Sequence, residues 1–165
     1  MEKVRKCAHM PTLRLKSDVS TVYCKFELLS EEECQSYGFQ EVYKIQWDIH
    51  GHISYAKTGY SFMGAIGYLL KLIKEVLKDD ETDYYEVFES DEDDFYDLVF
   101  QREGKERSLE LRCYLEQTSQ DRLTIHFDES EIVSLGIYCQ LFEGQLDKSM
   151  VPVQHMYDLG VFQGD

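Results

Sequence analysis

The segment Ile132–Phe142, IVSLGIYCQLF, decides how many long helices the chain contains. Asp128 and Glu131 lie three residues apart just ahead of it, which is the spacing of a helix capping pair. Yet Val133, Leu135, Ile137, Cys139 and Leu141 alternate with their neighbours without a break. The composition is β-branched and aromatic, as strands prefer. The alternation favours a strand, and a helix over 131–146 is the other reading.

Upstream the same period of two recurs. Leu123, Ile125 and Phe127 share one side of a strand over Arg122–Phe127. Leu109, Leu111, Cys113 and Leu115 alternate with Glu110, Arg112, Tyr114 and Glu116, so Arg107–Gln117 pairs with Asp97–Gln101 as a hairpin. The clearest strand is Val42–Ile49, where Tyr43, Ile45, Trp47 and Ile49 face one way. Gly51 supplies a turn, and Ile53–Ala56 returns from it. Thr12–Lys16 and Val19–Leu29 are further strands, and Ser30 and Glu33 cap a short helix ending at Gly38. Tyr60–Lys78 has the apolar spacing of a long helix, through Phe62, Ile66, Leu69, Leu70, Ile73, Val76 and Leu77.

The chain therefore reads as one α+β domain over residues 1–165, with a loose start at 1–11 and an irregular tail at 147–165 holding a short strand near Val151. Its mainly antiparallel sheet has about six to eight strands. One long helix covers 60–78, and a second helix or a strand covers 131–146.

Charge is concentrated. Eleven of the twenty residues in Asp79–Leu98, DDETDYYEVFESDEDDFYDL, are acidic and none is basic, in a chain of net charge −15. Five rings interrupt the carboxylates, so part of the stretch has something to bury and is an acidic loop or sheet edge over 79–94. A folded acidic surface carrying rings is a docking face for a basic partner. The residues that would carry it are Tyr84, Tyr85, Glu86, Glu89, Asp91, Glu92, Asp93, Asp94, Tyr96 and Asp97. A solvated loop that keeps the protein soluble is the competing reading. The overall charge opposes direct contact with nucleic acid or anionic lipid. No apolar run is long enough to span a bilayer.

Catalytic chemistry finds little support. Asp48, His50 and His52 would converge on one face only if the strand continued past Gly51. Ser61 sits in GYSFMG, which matches neither a phosphate loop nor a nucleophile elbow. His126 lies among apolar neighbours and reads as structural, while His9 and His155 fall in loops. Five cysteines without a C-x-x-C pair suggest free thiols in a reducing cytoplasm. No catalytic residue, metal site or cofactor is expected. A small metal-dependent or serine hydrolase stays as the alternative, beside a regulatory or scaffold domain.

A short acidic α+β chain with ESDEDDFYD and no catalytic constellation resembles the immunity proteins of bacterial toxin systems. The resemblance implies a cytoplasmic inhibitor that covers the active site of a cognate nuclease-type toxin with carboxylates.

Overall fold

The computed structural model describes residues 6–38, 41–62, 64–89, 96–115 and 122–165. The fold is α+β, with two antiparallel sheets. In chain order the elements are β1 (Thr12–Lys16), β2 (Thr21–Leu28), α1 (Glu31–Ser36), β3 (Val42–His50), β4 (Tyr55–Phe62), α2 (Ala65–Leu77) and β5 (Tyr84–Glu89). They continue with β6 (Tyr96–Glu103), β7 (Glu106–Tyr114), β8 (Arg122–Phe127), α3 (Glu129–Phe142), α4 (Val151–Asp158) and β9 (Phe162–Gln163). The nine strands of the described residues thus divide in two. One sheet runs β4-β3-β2-β1-β9, and the other runs β5-β6-β7-β8.

Each sheet buries one face because its strands alternate. Val22, Cys24 and Phe26 pair in register with Ile49, Trp47 and Ile45 on the inner face of the first sheet. Leu98 and Phe100 pair with Leu111 and Leu109 on the inner face of the second. Residues of both sheets and of α2, α3 and α4 join one buried apolar cluster. Trp47 and Tyr96 meet edge to face across the sheets at 5.6 Å between ring centroids. The Tyr55 hydroxyl and the Lys57 ammonium both donate to the Tyr114 carbonyl, at 3.0 and 2.8 Å.

The segment Ile132–Phe142 is helical, which corrects the strand favoured by its alternation. Asp128 is the N-cap, and its carboxylate accepts from the Ser130 and Glu131 N–H groups at 3.0 and 3.4 Å. The helix packs against α2, β7, β1 and α4. It is buried over most of its circumference, so no single apolar stripe marks the helical period. It approaches α2 closely at Gly136, where a Cβ would lie 3.1 Å from the Ile73 methyl and push that side chain aside by a few tenths of an ångström.

Three other boundaries differ from expectation. Tyr60 and Phe62 end β4 rather than begin the long helix, because Gly64 at φ +88° breaks the chain between the two. The tail is ordered: α4 starts at Val151 with Pro152 in its first turn, and β9 follows. Proline has the helical φ and needs no donor there. Residues 6–11 are anchored rather than loose. The Cys7 N–H donates to the Phe142 carbonyl at 2.9 Å, and Met10 is buried.

Glu131 does not complete a capping box; its carboxylate accepts the Lys16 N–H at 3.2 Å. Burial pushes its pKa up, against the opposing pull of that N–H. A raised acid pKa means that the folded state holds the proton more tightly than the unfolded one. The stability linked to this group is complete below the ordinary Glu range and declines as pH rises through the raised value. Glu131→Gln keeps an acceptor for Lys16 and removes the charge. Urea unfolding should show the variant gaining on the wild type between pH 4 and 7, by less than about 1 kcal/mol because the group is half exposed. A relative loss over that range would show that burial does not dominate at this site.

Candidate interaction surface

The acidic stretch begins where α2 ends, and two guanidinium groups fix its course. Arg102, only 4% exposed, donates from Nε to the Thr82 carbonyl at 2.7 Å and from Nη1 to the Glu75 and Val76 carbonyls of the last turn of α2. A cation at that end complements the helix dipole and satisfies carbonyls that have no partner within the helix. Arg107 donates to the Lys78 and Asp80 carbonyls at 2.9 and 2.8 Å. The loop is therefore wrapped around two buried or half-buried cations, while Asp79, Glu81 and Asp83 point to solvent. The Asp80 carboxylate accepts the Thr82 N–H at 2.8 Å, and this bond lowers its pKa.

From that loop the chain enters β5, the edge strand of the second sheet. It pairs with β6 from Tyr84↔Arg102 to Glu89↔Asp97. Phe88 is buried and stacks on Tyr68 of α2 at 6.4 Å, which fixes the inner side of the strand. Tyr84 is half buried, with the Arg102 guanidinium 5.5 Å from its ring centroid. Tyr85 is 55% exposed, and Glu86 and Glu89 are exposed. These four share one strand.

Tyr96 is different. It is 1% exposed and packs on Trp47, so its ring belongs to the core and not to a docking face. Asp97 is half buried on the outer face, where it accepts the Tyr114 hydroxyl at 2.8 Å. Asp91, Glu92, Asp93 and Asp94 lie outside the described residues. Tyr68, 47% exposed beside β5, was not anticipated; only its place off the apolar stripe of α2 marks it in the sequence.

Comparison with protein-family models, with curated proteins and with solved structures finds no match.

The alternative chemistries can be placed as well. β3 ends at His50 and the chain bends over Gly51–Ile53, so His52 leaves the face shared by Asp48 and His50. Gly51 passes so close to the β1–β2 turn that a Cβ would sit 2.8 Å from the Val19 carbonyl. Asp48 accepts the Gln46 amide at 3.1 Å, and His50 meets Tyr23 edge-on at 5.5 Å. No three metal-binding side chains converge among the described residues. Ser61 is fully buried in β4, and its hydroxyl makes no hydrogen bond. His126 is not structural in the sense expected: its side chain is 70% exposed on the outer face of β8, 3.3 Å from Glu110. Cys24, Cys113 and Cys139 are buried free thiols, and burial pushes the Cys113 pKa up to about 12. Such thiols are inert packing groups. No helix among the described residues is long and apolar enough to cross a membrane.

Proposed function

We propose that the protein captures a basic protein partner with the acidic surface built on the α2–β5 loop and β5. The observation that carries this reading is a sheet edge on which Tyr85, Glu86 and Glu89 stand exposed next to Asp79, Glu81 and Asp83. Clustered carboxylates steer a cation to the surface, and an exposed tyrosine supplies contact area at low entropic cost. The resemblance to immunity proteins gives the partner a chemistry: a cationic toxin domain, inhibited by occlusion inside the cytoplasm. Free thiols fit a reducing compartment of that kind.

Reversal of Glu86, Glu89, Asp91, Glu92, Asp93 and Asp94 to Lys tests the reading. Affinity purification from the native cell, at low and at high salt, should recover one strongly basic protein with the wild type. Its affinity for the reversed form should be lower by about a hundredfold or more. Thermal stability should stay close to wild type, because the exposed charges of Glu86 and Glu89 contribute little to it. Equal capture by both forms would remove the acidic surface from the function.

A further inference from the structure

We propose that β5 is a strand-addition site, at which a basic extended segment of the partner pairs as a fifth strand of the β5–β8 sheet. This rests on the reading of the chain as a captor of a basic protein and adds the manner of binding.

β5 is bonded to β6 along one side only, and no described strand lies on the other. Among the described residues, one row of its backbone N–H and C=O groups therefore has no strand partner. Such a row is a template for another chain, and proteins normally guard it. The described residues offer other sheet edges, and their charges differ from those of β5. β4 carries Lys57 as its only charged residue, β8 carries Arg122 but no carboxylate, and β9 has no charge. β5 alone is acidic, with Glu86 and Glu89.

Those two residues differ in parity, so one projects to each face of the sheet. An incoming strand would find a carboxylate on both faces, with Tyr85 on the Glu89 side. A segment alternating Lys or Arg with β-branched residues fits that arrangement, since opposite charges across paired strands are stabilising and like charges are not. The same charges argue against a second copy of this chain as occupant, because two molecules of net charge −15 would bring carboxylates together. The guard against self-pairing is thus a selector for a cationic strand. Arg102 and Arg107 do not compete for these groups, since both are committed to backbone carbonyls beneath the loop.

The test uses the whole protein and a short synthetic peptide of alternating Lys and Val. A second copy of the peptide is N-methylated at its central Lys and Val, which blocks both edges of the strand but keeps every charge. At low salt the unmodified peptide should bind and slow hydrogen exchange at alternate amides of β5. The methylated copy should bind at least about tenfold more weakly. Equal binding of the two peptides would overturn strand addition while leaving capture by charge intact. Binding of neither peptide at low salt would overturn both. Protection of β4 or β8 instead of β5 would overturn the assignment of the edge.

Discussion

Arg102→Met is expected to destabilise the fold by about 3 kcal/mol, because buried charge-assisted hydrogen bonds cost about that much to lose. Met retains most of the aliphatic stem, so the effect isolates the guanidinium. Three carbonyls lose the guanidinium, Glu75 and Val76 at the end of α2 and Thr82 in the loop, although Glu75 keeps the Lys78 N–H at 3.3 Å. The stacking of the cation on Tyr84 goes too. Chemical denaturation of wild type and variant measures the loss. Hydrogen exchange should show it concentrated in the α2–β5 segment, which would then present Asp79–Asp83 as a mobile chain. A loss below about 1 kcal/mol would mean that water replaces the guanidinium easily, and that the acidic loop is not held by it.

Tyr138→Ala should cost still more, about 5 kcal/mol, which is a large part of the stability of an ordinary domain. The ring is fully buried and packs edge to face on Phe26 at 4.9 Å and on Phe162 at 5.5 Å. Its hydroxyl completes a sheet. β1 stops pairing with β2 at Leu13↔Cys24, so the Phe26 N–H beyond that point lacks a strand partner. The Tyr138 hydroxyl accepts that N–H at 3.1 Å and donates to the Pro11 carbonyl at 2.7 Å. Burial raises its pKa, so it remains a donor at any ordinary pH. Tyr138→Phe keeps the ring and should cost about 2 kcal/mol, since two buried backbone groups lose their partner. Thermal unfolding of the two variants separates packing from hydrogen bonding. Equal losses would show that the ring packing adds nothing beyond the hydroxyl, and an unchanged stability of Tyr138→Phe would show that the hydroxyl contributes nothing.

Tyr138 also shows why part of the fold was hidden in the sequence. Half-buried strands announce themselves: Val42–His50 alternates because one face meets the core and the other meets water. α3 has no such contrast. Ser134 and Gly136 are buried in it, while Val133 stands exposed, so polarity does not track burial. Its one reliable signal was Asp128, a residue suited to capping a helix and poorly suited to continuing a strand. The acidic surface was legible in outline, because charge needs no tertiary contact to be counted. Tyr96 was misplaced for that same reason. Acidic neighbours suggested a surface residue, although Tyr96, Leu98 and Phe100 share the buried side of one strand. A sheet edge over 79–94 was one of the two readings its charge allowed, but the strand that it would border was beyond reach, because strand order depends on pairings between distant segments.

One pairing has a bearing on how the molecule assembles. β1–β4 and β5–β8 are meanders whose strands meet their neighbours in sequence, so each can form early from local contacts. β9 is the exception, since Phe162 pairs with Leu13 and rests on Tyr138. Closing that seam joins Thr12 and Leu13 to Gln163 and Phe162, which are far apart in sequence. During synthesis, β1 must wait with one side bare until Phe162 and Gln163 have left the ribosome.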